Sequence, residues 1–341
     1  MILVINCGSQ SIKWKVFDDK LNVAKEGKCE VLNLNDFGRT LEAELGKIDR
    51  TDIKLIGHRV VHGGKMFITP VEITEGNLPE LGKLNHLAPM HNPFNVLGIK
   101  SCQKIFKGIP QFAIFDTEFF FGLPEKACAY ALPESVVNEL GFRRYGFQGT
   151  SHQFVAKRAS EAVKKPLNKL NIITCHLGGG SSITAIRKGK AIDTSMGFTP
   201  LEGLVMMTRS GNMDAGIVLE LVKNFSADKA EEILNRESGV KGICGQGDMV
   251  KVLEMVKAGE PKAKLALDVF VYSIQKYIGA YYAVLGGCDV LVFTGAIGFG
   301  SAKIRNMICK DLKILGKTKV MAIETDEELA IAQKINKLIS K

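Results

Sequence analysis

Two stretches, one in each half of the chain, share a single pattern of apolar and polar positions. In the first, apolar Ile2 to Ile5 lead into a polar turn from Asn6 to Ser11. Ile12, Trp14 and Val16 then alternate with Lys13 and Lys15. In the second, Ile172 to Cys175 run through His176 and Leu177 to Gly178, Gly179 and Gly180. Two serines follow before Ile183, Ala185 and Ile186 resume an extended pattern. Alternation with period two predicts strands on both sides of each turn. Alone, the second stretch reads equally as an ordinary hairpin turn or as an anion cradle. In the cradle, glycines admit a ligand close to the backbone and successive amides form a nest. Two occurrences predict a duplicated α/β unit, with two lobes closing on a nucleotide or polyphosphate.

The remaining pattern fills in such a fold. Leu41, Leu45 and Ile48 are spaced for a helix over Arg39 to Ile48. Ile53 to His62 reads as a strand, with Arg59 and Val61 on the face opposite His58, Val60 and His62. His86 to Pro93 is a proline-punctuated loop opening a helix to about Phe106, and Gln111 to Phe115 is a short buried strand ending in Asp116. Ser151 to Val163 predicts a helix, and helices dominate from Ser210 to Gly286, the longest from Lys262 to Leu285. Asp289 to Phe293 and Lys319 to Ile323 are further strands. Thr325 to Glu328 reads as a capping box for the final helix. Strands alternating with helices and ending in polar or glycine turns indicate an α/β protein, whose ligands gather beyond the carboxyl ends of the strands.

Composition narrows the class. At 341 residues the chain can hold two domains. Its 46% apolar and 24% charged content is that of a globular protein. Met1 leads directly into a strand pattern, and the most apolar window, Tyr281 to Gly300, is broken by Asp289 and glycines. Neither a secretion signal nor a membrane span is expected. Eight scattered cysteines without a CxxC pair suit reduced core thiols and a cytoplasmic location. The net charge of +9 comes from dispersed lysines, with no aromatic–basic interleaving of the kind nucleic acid binding uses. A dinucleotide-binding reading fails because Gly178 to Gly180 precede a strand pattern, not a helix.

Ordered along nearly the whole chain stand NCGSQSIK, GHRVVHGG, LAPMHNPFN, FDTEF, YGFQGTSH, ITCHLGGGSSI, DTSMGFTPLEGL and TDEELAIA. This set resembles the acetate kinases of the acetokinase family. The resemblance implies two ribonuclease-H-like (actin-like ATPase) domains around a central cleft. We expect residues 1–120, completed by helix 329–341, as the N-terminal domain and 121–328 as the nucleotide-binding domain. It further implies reversible transfer from ATP to acetate, giving acetyl phosphate and ADP, with Mg2+ (or Mn2+), and usually a homodimer. Carried over residue by residue, Asp116, Arg209 and Gln148 match catalytic positions, and Arg59, His91 and Asn92 match the carboxylate site. Asn6 and Glu327 match the metal ligands. Ser9, Ser11, Lys13, His176, Leu177, Gly178, Gly179, Gly180, Asp248, Gly295, Ala296, Ile297 and Gly298 match the ATP site. The chemistry agrees: acetate is already ionised, so such a kinase mainly positions and neutralises, and arginine forks pair with carboxylate and phosphate. Closure of the lobes on ligand would exclude water from the transferring group.

Departures from the family pattern cluster on the donor side. Gln148 stands where relatives carry a histidine, and a glutamine cannot supply an imidazolium charge. One such contact is worth on the order of 10²–10³ in rate. Gly179 replaces an asparagine, Phe299 and Gly300 replace polar residues of the adenosine loop, and Val250 replaces an arginine. The chain is also short between Leu312 and Lys317. These changes leave open a second reading, a kinase using pyrophosphate or another altered donor, or a catalytically impaired homologue. An actin-like filament former is a further class, but it would not need Arg59, Asp116 and Arg209.

Overall fold

The two repeats fold into sheets of the same topology. The computed structural model describes residues 1–8, 11–31 and 36–340. In it β1 (Ile2–Cys7), β2 (Ser11–Phe17), β3 (Val23–Glu30), β4 (Leu55–Val60), β5 (Val71–Glu72) and β6 (Gln111–Phe115) form a sheet ordered β3-β2-β1-β4-β6-β5. The strands β7 (Asn171–Leu177), β8 (Ser181–Arg187), β9 (Lys190–Thr194), β10 (Val290–Thr294) and β11 (Lys319–Ala322) form a second, ordered β11-β10-β7-β8-β9. In each, an antiparallel three-strand meander continues into parallel strands: β1 pairs β4 and β4 pairs β6 in one, β7 pairs β10 and β10 pairs β11 in the other. The fold is α/β with two ribonuclease-H-like units.

Alternation assigns each face of the first sheet. Leu3, Ile5 and Trp14 pack with Leu41 and Leu45 of helix Phe37–Gly46 and with Cys102 of helix Asn92–Ile105. Ile2, Val4 and Ile114 pack on the other face against Ile331, Ala332 and Ile335 of the final helix, Glu327–Ile339. That helix approaches β4 closely. A Cβ on Gly57 would lie 2.4 Å from Ile335 and 2.8 Å from Ile331, so a side chain there would have to displace both. In the second sheet Cys175, Leu291 and Phe293 pack against Phe270, Ile274 and Ile278 of helix Pro261–Leu285.

The chain divides into two compact units: Met1–Phe121, Gln148–Ser151 and Asp326–Lys341 in the first, Gly122–Phe147 and His152–Thr325 in the second. Compared with the expected 1–120 and 121–328, Gln148–Ser151 moves to the first unit. The Gly149 amide donates to the Asp116 carbonyl at 3.1 Å, and the Thr150 hydroxyl to the Asp116 carboxylate at 3.0 Å. The capping box is also corrected. Asp326, not Thr325, is the N-cap, accepting from the Leu329 amide at 2.9 Å, while Glu328 accepts from Asn6 instead of closing the box. Among the described residues no helix is long and apolar enough to cross a membrane. The eight cysteines are unpaired.

Candidate active site

In the first unit the chemistry collects at the carboxyl ends of β1, β4 and β6. Arg59, next to last on β4, sits beside β6 because the two strands run parallel with Arg59 opposite Ile114. Asp116 follows β6 directly, its amide donating to the Val60 carbonyl at 2.9 Å. This register sets the two side chains against each other. Arg59 Nη2 donates to Asp116 Oδ2 at 2.6 Å, and Nε lies 3.1 and 3.3 Å from its two oxygens. With the Thr150 hydroxyl added, Asp116 is only 1% exposed and fully engaged. Arg59 Nη1 reaches Glu327 Oε2 at 3.1 Å and Asn6 Oδ1 at 3.5 Å. Burial works to lower the Arg59 pKa, but the charges of Asp116 and Glu327 outweigh it and hold the guanidinium firmly protonated.

Asn6 completes this group. Its Nδ2 donates to Glu328 Oε1 at 3.2 Å, leaving Oδ1 directed at Arg59. Lys15 on β2 pairs with Asp326 at 2.8 Å, tying the start of the final helix to the first hairpin. Asn6, Glu327 and Glu328 are hard oxygen donors, the type Mg2+ prefers. Among the described residues no three His, Cys, Asp or Glu side chains cluster as a metal cage.

His91 and Asn92 open helix Asn92–Ile105. The Asn92 side chain is spent on the chain leaving β4: its Oδ1 accepts from the His62 amide and its Nδ2 donates to the His62 carbonyl. Asn95 does the same nearby, joining Val61 to Cys7. These asparagines shape the backbone beside Arg59. Gln148 lies just before the Gly149–Ala162 helix at φ +60°, a left-handed conformation that glutamine rarely takes. Of the first phosphate turn, Ser9 lies outside the described residues, Ser11 accepts from the Gly8 amide through its carbonyl, and Lys13 is exposed.

In the second unit the turn after β7 holds His176 to Gly180. None of its three glycines has a left-handed φ, so the expected αL nest is not formed. The Gly178 amide is satisfied by Ser181 Oγ at 3.3 Å, and a Cβ at Gly179 would meet nothing within 4 Å. Gly295 does need its freedom: φ is +77°, and a Cβ would lie 2.6 Å from the Leu177 carbonyl oxygen. Ala296, Ile297 and Gly298 continue a six-residue helix, Gly295–Gly300. Asp248 caps helix Met249–Lys257 through the Val250 and Lys251 amides. His152 is fully buried between the hydroxyls of Thr174 and Ser182, each 2.7 Å away, and burial, with His176 nearby, keeps it neutral. Arg209 is unlike the other arginine. It donates to the Pro200 carbonyl at 3.2 Å, and among the described residues it has no carboxylate partner. Burial lowers its pKa.

Comparison with known proteins now decides the class. A model of the acetokinase family matches residues 39–336. The chain belongs to the acetokinase family. An acetate kinase of Carboxydothermus hydrogenoformans is 42% identical over 393 aligned positions, covering 99% of each chain. One of Thermoanaerobacterium thermosaccharolyticum is 41% identical, covering 99% of this chain and 98% of its own. Among solved structures, Porphyromonas gingivalis acetate kinase superposes with a TM-score of 0.89 at 36% identity, covering 100% of this chain and 99% of its own. A propionate kinase of Francisella tularensis gives the same score and identity at 98% coverage of both chains. As an acetokinase, this chain is shorter than the alignment length it shares with its relatives.

Two contributors escaped the sequence reading. Thr150 lies inside the YGFQGTSH motif, but its role appears only once the Gly149 amide docks on the Asp116 carbonyl. Glu328 was read as a helix-capping acid, yet it holds Asn6 across 322 residues of sequence.

Proposed function

We propose that this acetokinase transfers a phosphoryl group reversibly between ATP and acetate, forming acetyl phosphate and ADP. The observation that carries the reading is the Arg59–Asp116 clamp. A guanidinium held at its Nε–Nη2 edge by a buried carboxylate is fixed in plane, and its Nη1 end, which meets Glu327 and Asn6, is the part that can turn to a substrate anion in the planar geometry carboxylate requires. Arg209, a partly buried cation without a carboxylate partner among the described residues, suits charge on the transferring phosphoryl group. Asp116 acts through Arg59: its oxygens are spent on that side chain and on the Thr150 hydroxyl, and acetate needs no base. Asn6 and Glu327 would hold Mg2+, which when bound neutralises phosphate charge. Gln148 supplies a neutral hydrogen bond where relatives have histidine. His91 borders the carboxylate site, and Asn92 shapes the backbone beside it.

On the donor side, His176 to Gly180, Ser9, Ser11, Lys13, Asp248 and Gly295 to Gly298 are the proposed ATP contacts. Val250 is 66% exposed and Phe299 40% exposed, where the family pattern puts polar adenosine contacts. That observation supports the second reading, a pyrophosphate donor or an impaired homologue. Homodimer assembly and a cytoplasmic location belong to the same proposal, and light scattering on the eluting peak tests the former. Trapping acyl phosphate as hydroxamate, with ATP or pyrophosphate as donor and acetate or propionate as acceptor, tests the function. Turnover with ATP and acetate, abolished in Arg59→Ala, is the expected result. Turnover only with pyrophosphate moves the assignment to the altered donor, and none with any pair overturns both donor readings and leaves the impaired homologue.

A further inference from the structure

All three nitrogens of Arg59 are engaged in the structure, and they are engaged unequally. Nε and Nη2 face Asp116, which is 1% exposed and held by three donors. Nη1 faces Glu327 Oε2 at 3.1 Å and Asn6 Oδ1 at 3.5 Å. Those two oxygens belong to the residues assigned above to the metal. The edge of a guanidinium that remains for a substrate carboxylate runs between Nη1 and Nη2, so a carboxylate seated there competes with Glu327 and Asn6 for Nη1. A carboxylate oxygen that accepts from a guanidinium cannot also coordinate a small divalent cation along the same direction. A cation that shares these oxygens weakens their hold on Nη1.

We propose that the Arg59–Glu327 pair is an interlock between the metal and carboxylate sites. A divalent cation that draws Glu327 and Asn6 Oδ1 to itself releases Nη1, and the freed Nη1–Nη2 edge becomes the bidentate seat for acetate. The exchange needs only side-chain rotation, because the Glu327 backbone is fixed in the first helical turn by the Asp326 cap. Asp116 does not exchange, being buried and triply held, so Arg59 stays in place while one of its partners leaves. Linkage then requires reciprocity: metal tightens carboxylate binding, and carboxylate tightens metal binding by the same factor, here on the order of tenfold. The proposal rests on the assignment of Asn6 and Glu327 to the metal and of Arg59 to acetate.

The test is calorimetric titration of the full chain with acetate, without nucleotide, with and without saturating MgCl2 at constant ionic strength. Mg2+ is also titrated with and without acetate. Mg2+ is expected to tighten acetate by about tenfold, and acetate to tighten Mg2+ equally. Glu327→Gln is expected to bind acetate without Mg2+ nearly as tightly as the wild type does with it, and to lose the response. Glu118→Gln removes an equal charge from the first unit. Its partner is Lys334 and not a residue of this group, so it is expected to keep the wild-type response. Mg2+ binding with unchanged acetate affinity in the wild type would overturn the interlock and leave the site assignment standing. A Mg2+ response that persists in Glu327→Gln would assign the coupling to direct metal–acetate contact and overturn it too. If neither ligand binds, the site assignment itself fails.

Discussion

Replacing Asp116 with asparagine separates an anchoring role from proton transfer. The substitution conserves volume at a site 1% exposed, so no cavity term enters. It removes the negative charge 2.6 Å from Arg59 Nη2. Breaking a buried ion pair from one side costs about 3–5 kcal/mol. Two features of this site favour the lower end: Glu327 still faces Nη1 at 3.1 Å, and the Thr150 hydroxyl can turn to accept from the new amide. We therefore expect a loss of about 3 kcal/mol, read from urea unfolding of the first unit's transition. With its anchor weakened, Arg59 leans toward Glu327. The KM for acetate should then rise, and kcat should fall. Because Asp116 moves no proton in this account, neither limb of the pH–rate profile should disappear. A general acid or base normally contributes about 10²–10⁴ to rate. If kcat fell that far with KM for acetate unchanged and one pH limb missing, the anchoring argument would be refuted.

Three further outcomes follow from individual environments. Arg209→Ala should leave stability unchanged or slightly improved, since among the described residues this arginine has no carboxylate to lose, while kcat/KM drops by on the order of 10³ or more; thermal melts and steady-state kinetics check both halves. Gly179→Asn, which restores the residue of the family pattern, should fold with unchanged stability because a Cβ there meets nothing within 4 Å, and a melt shifted down by several degrees would contradict it. His58 (pKa pushed down to about 4 by burial, despite Gln111), His62 (to about 3, by burial and then His86) and His152 are buried and neutral, so the unfolded chain binds more protons between pH 6.5 and 4. Their stabilisation is complete above pH 6.5 and is lost as pH falls toward 4, with a limiting slope of about 4 kcal/mol per pH unit for three histidines; unfolding curves at successive pH values that stayed flat across this window would disprove it.

Legibility in the sequence followed burial. β1, β2, β7 and β8 were readable because one or both faces are buried and the apolar pattern records it. β3, VAKEGKCE, escaped because it is an edge strand, mostly exposed along its length, and its charged residues carry no period-two signal toward a core. The two-residue β5 is too short to declare itself, and β9, the edge strand KAIDT, has no period-two pattern. At the site, Asp116 and Asn6 were legible as polar residues at strand ends, and Arg59 as a charged position inside a strand read over Ile53 to His62, which ends at Val60. Their contact was not, because it depends on the β4–β6 register. The cap was misplaced by one residue for a related reason. TDEE satisfies the capping-box spelling from Thr325, but Lys15 draws Asp326 into the N-cap position, and that ion pair spans 311 residues.

The shared topology lets the two units be compared position by position, and the comparison separates their chemistry. Where β1 carries Asn6 and β4 carries Arg59, the equivalent β7 and β10 carry His176 and Thr294. The first unit gathers charge at its strand ends: Arg59, Asp116 and Glu327 lie in mutual contact through the guanidinium. The second puts glycines, hydroxyls and a neutral histidine there, with His152 clasped by Thr174 and Ser182. A charged clamp suits a small carboxylate, which offers two oxygens and little surface. An uncharged, glycine-bearing rim suits a larger polyanion, which must approach the backbone closely. The departures from the family pattern (Gly179, Val250, Phe299, Gly300) all fall in the second unit except Gln148, which the Gly149–Asp116 contact carries into the first. Gln148 is therefore the one change placed to act on the carboxylate clamp itself. Its left-handed backbone fixes the turn that delivers Thr150 to Asp116.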